Sequence, residues 1–275
     1  MKVLQVNVVY ANGSTGKIVY DIHKNLLNLG IESIVCYGRG KFYNQKNVYK
    51  IAYDIPSKVR AFISKISGIH YNKCLFSTSK LLNIINHEKP DVIHLHCING
   101  YFVNIYSLIK FLKKKNIPTL LTLHADFMFT GSCGIAYNCD KWIKGCGKCP
   151  NLKEIIKTPC VDNTHKAWKQ LCNAYKGMDN IIVSSVSPWL MNRAKISMLK
   201  DKKHTVVMNG VDTNVFKKYD NFDNNIKKYF NKKTILFVTA SFFIKIFFYI
   251  IVKIIIFFKN IRIYTIHNYS MFFVF

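Results

Sequence analysis

Short apolar runs alternate along the chain with longer stretches in which apolar residues recur every three or four positions. "KVLQVNVV" near the N-terminus has the length and composition of a strand. From Gly16 to Leu29 the apolar positions Ile18, Ile22, Leu26 and Leu29 share one helical face, and Gly30 supplies the stop. "ESIVCYG" predicts a second strand. A helix carrying "SKLLNIINHEK" leads through Pro90 into "DVIHLHC", a buried strand of the parallel type. "IYSLIKFLKKKN" predicts a helix closed by Pro118, and "TLLTLH" the next strand. After a Cys-rich segment come a helix near "HKAWKQLCNAYKG", the strand "NIIVSSVS", a helix after Pro188 and the strand "HTVVMNG".

Strands separated by helical patterns predict βαβ units: an α/β fold with a Rossmann-like parallel sheet and helices on both faces. Ligands of such sheets gather beyond the carboxyl ends of the strands. Asn12 to Gly16 follow the first strand, His94 and His96 close a middle one, and His124 with Asp126 close the next. Topology alone therefore places a site among these residues.

The loop "NGSTGK" between the first strand and its helix invites comparison with phosphate grips. A Walker loop needs G-x-x-x-x-G-K-[ST]; here Gly13 and Gly16 are too close, and Ile18 stands where the hydroxyl should be. G-x-G-x-x-G fails too. What remains is a glycine-containing turn feeding a helix N-terminus, whose free amides favour an anion. A plain strand-to-helix turn reads equally well from these residues alone.

Forty Lys and Arg against 14 Asp and Glu give a formal charge of +26. That favours anionic partners: nucleic acid, an acidic membrane surface or phosphorylated substrates. AT-rich coding, which also enriches Asn, Ile, Tyr and Phe, accounts for part of it. No recognition helix or RNA-binding signature accompanies the charge, so nucleic acid is not the expected partner. The N-terminus is no signal peptide, since its apolar run is short and passes directly into the loop. A cytoplasmic, reducing setting follows, with the nine cysteines as free thiols or metal ligands.

From "HLHCINGYFVNIYSLIKFLKKKNIPTLLTLHADFMFTGSCG" through "CDKWIKGCGKCP" the sequence resembles the N-terminal domain of family 4 glycosyltransferases, in particular bacterial enzymes of exopolysaccharide, colanic-acid-type and capsule assembly. "NGSTGK", "VSSVSPWLMNRA" and "VVMNGVDTNVF" continue the likeness in the expected order, over roughly residues 1 to 240. The resemblance implies one half of a GT-B fold, with two Rossmann-like domains facing across a cleft. It implies transfer of a sugar from a nucleotide-sugar donor to a saccharide or lipid-linked acceptor, with no required cofactor. Carried over, Gly13, Ser14, Thr15 and Gly16 would face the donor diphosphate, and His124 the transferred sugar. Asp126 would orient that histidine or bind acceptor hydroxyls, although relatives place this Asp directly after the His, where Ala125 stands here. His96, Asn99, Arg193 and Asn209 complete the expected donor and acceptor surface. His94 and His96 share one strand face and shape the cleft floor, and Arg193 pairs with a phosphate or is a solvated helix arginine.

Two features sit apart. Cys133, Cys139, Cys146 and Cys149, within an insertion of about residues 131–160, include one C-x-x-C knuckle, whereas a zinc ribbon shows two. A structural zinc and free, packing thiols are both open. "KKTILFVTA" should begin a second domain, so that residues 1–212 form the N-terminal domain and 213–240 a linker and first strand. Residues 241–275 then hold ten Ile and nine Phe, with no Gly, Pro, Ala, Leu, Asp or Glu. Such a tail is expected from AT-rich DNA read in a wrong frame, which would leave the chain without its donor-binding domain and with weak or no activity. A membrane span is the competing reading, but the apolar stretch 242–258 is short and holds Lys245 and Lys253. A basic Rossmann module held on an anionic membrane at the inner face is the alternative function.

Overall fold

The computed structural model describes residues 1–158 and 161–214 and, as backbone alone, 235–238, 263–266 and 271–274. The chain divides into two compact units, Met1–Asn209 and Gly210–Phe275. The first is built on seven strands: β1 (Lys2–Asn7), β2 (Glu32–Tyr37), β3 (Val48–Lys50), β4 (Val92–Leu95), β5 (Thr119–Leu123), β6 (Ile181–Ser185) and β7 (Lys203–Val206). They lie in the order β3-β2-β1-β4-β5-β6-β7, and every neighbouring pair is parallel. The helices are α1 (Gly13–Asn28), α2 (Asp54–Ser67), α3 (Leu75–Glu88), α4 (Ile105–Lys114), α5 (Thr164–Tyr175) and α6 (Pro188–Lys195). The α/β, Rossmann-like fold read from the alternation is the fold observed. The chain steps outward from β1 to β2 and β3, then returns to lay β4 on the other side of β1. That reversal opens a crevice beyond the carboxyl ends of β1 and β4.

Strand alternation sorts the core into two layers. Leu4, Val6, Ile34, Cys36, Ile93, Leu95, Leu121 and Leu123 join the main core, with Leu81 and Ile85 of α3, Leu108 and Leu112 of α4 and Leu171 of α5. The intervening positions turn to the opposite face, where Val35, Tyr37 and Val48 pack with Val19 of α1 and with Tyr10. Helices therefore cover both faces, and α1 stands on the smaller layer.

Element ends follow local chemistry. Helix α1 starts at Gly13, three residues before the apolar periodicity, because Asn12 is extended and small residues carry the first turn. It stops at Gly30, whose φ of +71° lets Ile31 N–H reach back to Leu26 O at 2.9 Å. The hydrophobic pattern marked neither β3 nor α2. The strand is only three residues long, and the helix carries its apolar residues outward.

In the second unit β8 (Ile235–Val238), β9 (Ile263–Ile266) and β10 (Met271–Val274) form an antiparallel sheet in the order β8-β10-β9. The strand expected in "KKTILFVTA" falls at β8. The anomalous tail expected over residues 241–275 lies outside the described residues, apart from the backbone of β9 and β10. Among the described residues no helix is long and apolar enough to cross a membrane.

Candidate functional site

The loop after β1 turns through two left-handed residues, Ala11 at φ +54° and Gly13 at φ +65°. Ala11 N–H donates to Gly16 O at 2.9 Å, folding the loop back on the first turn of α1. Gly16 is buried there; a Cβ would stand 3.1 Å from Val9 Cγ2. Gly13 and Ser14 are exposed and Thr15 half-buried. No side chain caps the helix at Asn12, and its first turn holds no acid. The positive end of the α1 dipole is therefore left open to an anion.

Asn7, at the end of β1, fixes this loop against β4. Its Nδ2 donates to Val9 O at 2.7 Å and reaches Thr15 Oγ1 at 3.4 Å, while its Oδ1 accepts from Cys97 N–H at 3.0 Å. By register Asn7 opens a polar row on the face of the sheet that carries α1. Leu95 pairs with Val6 and with Leu121, and Thr122 with Ser184, so Asn7, His96, Thr122 and Ser184 stand side by side. His94, one pleat below, bonds Thr122 Oγ1 through Nε2 at 2.8 Å. Its ring lies 3.8 Å from that of His96, centroid to centroid, and His96 stacks on His124 at 5.8 Å and 30°.

These three imidazoles are neutral at physiological pH. Burial lowers His94 to about 4, reinforced by His124, and His96 to about 2, reinforced by His94 and His124; burial also lowers His124. His96 is 1% exposed, and among the described residues neither of its ring nitrogens has a hydrogen-bond partner; His124 Nε2 and Ser184 Oγ lack one as well. Buried polar groups are almost always paired, since leaving one bare costs on the order of 1–3 kcal/mol. A row of such groups at the carboxyl end of a parallel sheet is where a polar ligand would find partners.

Asp126 is placed otherwise. Strand alternation would put it on the same side as His124, but β5 ends at Leu123. Ala125 is extended, and a 3-10 turn over Asp126–Phe129 redirects the chain. No hydrogen bond joins Asp126 to His124 among the described residues. Its carboxylate, 2% exposed, receives Arg193 Nε at 3.2 Å and Nη2 at 3.0 Å, and Ala136 N–H at 2.9 Å. Asp126, expected to orient His124 or to bind acceptor hydroxyls, is placed here as the partner of Arg193. Arg193, expected to pair with a phosphate or to be a solvated helix arginine, has a side chain 16% exposed and engaged by Asp126. Its guanidinium lies between the rings of Trp142 and Trp189, 4.6 and 4.8 Å from their centroids. Of the remaining expected residues, Asn99 is half-buried in the loop after β4, and Asn209 is exposed beyond β7.

The Cys-rich insertion packs behind this pair. Trp142, 2% exposed, donates from Nε1 to Cys139 O at 2.7 Å, and Trp168 Nε1 donates to Trp142 O at 2.8 Å. The thiols of Cys133 and Cys146 sit close enough to Cys139 and Cys149 to feel their charge, and burial raises them to about 11 and about 12. They act as hydrogen-bonding thiols: Cys133 Sγ–H donates to Ile135 O at 2.9 Å, and Cys146 Sγ accepts from Gly131 N–H at 3.2 Å. Among the described residues no three His, Cys, Asp or Glu side chains stand together so as to hold a metal ion. Cys133 and Cys146 are thus placed as packing thiols in this structure.

Asn7, Thr122 and Ser184 escaped the sequence reading. The signal was present: Gln5 and Asn7 interrupt the apolar run of β1 at every second position, marking one face of a buried strand as polar.

Seven parallel strands, an open helix N-terminus beyond the first and unpartnered imidazoles beyond the fourth and fifth define a Rossmann-like unit. The model of the family "Glycosyltransferase Family 4" matches residues 15–215. A protein of Escherichia coli (strain K12) named as a colanic acid biosynthesis glycosyl transferase, WcaC, is 30% identical over 177 residues, 60% of this chain and 43% of the relative. The chain belongs to glycosyltransferase family 4, and the matched residues are its N-terminal region. It spans less than half the length of that curated relative.

Proposed function

We propose that the first unit is the acceptor-side half of a sugar-transfer cleft, serving the assembly of a surface polysaccharide from a nucleotide-sugar donor. The observation that carries this reading is the unpartnered His124 Nε2, stacked on His96 beyond β5, with the α1 N-terminus held beside β4 through Asn7. A neutral imidazole can donate to or accept from a sugar hydroxyl without attracting the donor's negative charge away from its own site. The amides of Gly13 to Gly16 and the hydroxyls of Ser14 and Thr15 would face the diphosphate. His96 would act as a positioning residue behind His124, and Asn99 and Asn209 would lie along the rim.

Transfer also requires charge stabilisation on the departing diphosphate and a fixed geometry between donor and acceptor. In this reading those come from a facing domain, so the first unit alone turns over nucleotide sugars slowly or not at all. The reading calls on no metal. Two measurements on the full chain test it: saccharide-acceptor binding by calorimetry, and hydrolysis or transfer across a panel of nucleotide sugars. His124→Ala is expected to lower acceptor binding at least tenfold with an unchanged unfolding midpoint; unchanged binding would remove His124 from the site. Robust turnover by the first unit alone would overturn the half-cleft reading.

A further inference from the structure

The connections from α5 to β6 and from α6 to β7 lie at the amino ends of their strands, on the rim of the sheet away from the histidines. Between them and the Cys-rich insertion opens a cleft of about 570 Å³, a size that holds a small organic ligand. Its apolar lining comes from Ile143, Trp168 and Ile196, and from Cys172 and Met198. The last two meet at 3.8 Å, Sγ to Sδ, and join α5 to the segment before β7. Trp168 already gives its Nε1–H to Trp142 O, so the indole offers a ligand its ring rather than a hydrogen bond.

Charge in the cleft is one-sided. Lys144, Lys176, Lys200 and Lys202 line it, against one acid, Asp201. Lys202 is the unusual member. Its side chain is 9% exposed, yet among the described residues its ammonium has no hydrogen bond, and its one ion pair is with Asp179 at 3.9 Å. The Asp179 side chain is 96% exposed and therefore mostly solvated. An ammonium sheltered to that degree without a close counter-charge costs the fold stability unless an anion completes it. Tyr175 also lines the cleft, and its buried hydroxyl has no partner among the described residues. None of these residues belongs to the crevice at the carboxyl ends of the strands.

We propose that this cleft binds a nucleotide, with a flat heterocycle against Trp168 and phosphates at Lys200 and Lys202. A bare inorganic anion would leave the apolar lining without a partner. A saccharide would press hydroxyls onto Ile143, Ile196 and Met198, where no group receives them. An aromatic base stacks on an indole through its face, and its phosphates supply the counter-charge that Lys202 lacks. The site is separate from the α1 N-terminus, so the two rims of one sheet would hold two different phosphorylated ligands.

Calorimetric titration of the full chain carrying Ser14→Asp, which blocks the α1 N-terminus, with ADP, adenosine and pyrophosphate tests this. ADP is expected to bind one to one, at least tenfold more tightly than either of its parts. Lys202→Met, which keeps the sheltered stem and removes the charge, should weaken ADP binding at least fivefold. Lys144→Glu with Lys200→Glu, both at exposed positions, should weaken it more than tenfold. Trp168→Leu should weaken ADP more than tenfold and leave the weaker pyrophosphate binding unchanged. Unfolding midpoints separate lost binding from lost folding, and the exposed lysine pair carries the test if Trp168→Leu destabilises the chain. Pyrophosphate binding as tight as that of ADP would overturn the proposal. So would ADP binding that neither lysine variant weakens, or no ADP binding at all. The titrated chain lacks the α1 anion site, so failure here leaves the half-cleft reading standing.

Discussion

Two polar groups leave the end of β5 within three residues of each other and share nothing else. His124 belongs to a row of neutral imidazoles in which bare nitrogens remain; Asp126 belongs to an ion pair whose carboxylate already accepts three hydrogen bonds. Both are buried polar features, and burial alone would rank Asp126 and its arginine as the more notable site. Saturation separates them. A carboxylate held by a forked guanidinium and a backbone amide has little acceptor capacity left for a substrate, and it ties η1 (Asp126–Phe129), the Cys-rich insertion and α6 into one body. Imidazoles without partners cost the fold stability and are the groups a ligand can complete.

Cutting the saturated side should do the most damage. Asp126→Ala leaves the Arg193 guanidinium buried between two indoles without its counter-charge and strands the Ala136 amide. A loss of about 3–5 kcal/mol is expected for breaking one partner of a buried pair, read as a lower urea midpoint. Arg193→Lys keeps the charge but loses the fork and the stacking, and should recover only part of that stability. If Asp126→Ala instead left the midpoint unmoved and abolished sugar binding, the division drawn between the two groups would fail.

The unsaturated side shows itself through pH. A histidine that the fold holds neutral takes up its proton first in the unfolded chain, so stability rises with pH between the folded and unfolded pKa. The contribution is complete above about pH 6.5, the ordinary histidine value, and is lost as pH falls toward about 4 for His94 and about 2 for His96. Each such proton contributes a slope of about 1.4 kcal/mol per pH unit in that window. Urea midpoints at pH 7.5, 6 and 5 measure it. His96→Phe should flatten the slope while changing stability at pH 7.5 by no more than about 1 kcal/mol, because an apolar ring replaces a group that had no partner. An unchanged slope would mean that His96 is not buried neutral.

The alternation of strands and helices could be anticipated because each carries its own period: β1 and β5 as compact apolar runs, and α1 as a stripe at Ile18, Ile22 and Leu26. The placement of His96 and His124 at the ends of strands followed from that alternation. The pairing of Asp126 with Arg193 did not, since the partners are 67 residues apart and the turn after Leu123 breaks the alternation that would have set Asp126 beside His124. Helix α2 was hidden for the opposite reason. Its periodicity is regular, but a stripe is read as facing a core, and here the serines face the protein. Four cysteines with one knuckle could not by spacing alone separate thiols that pack from thiolates that bind metal.

Gly13 and Ser14 test the open helix end at smaller scale. Gly13→Ala puts a Cβ on a residue at φ +65° with free space around it, so the cost is conformational alone, about 1 kcal/mol. Ser14→Asp should act in the other direction on stability. Ser14 is exposed in the first turn of α1, where no acid balances the dipole, so a carboxylate there should add roughly 0.3–1 kcal/mol at low salt. The same charge would occupy the place proposed for the donor diphosphate, and nucleotide-sugar binding by the full chain should weaken at least tenfold. Higher stability with lower affinity distinguishes an anion-binding helix end from a plain strand-to-helix turn, for which the added carboxylate would stabilise the fold and leave ligand binding untouched.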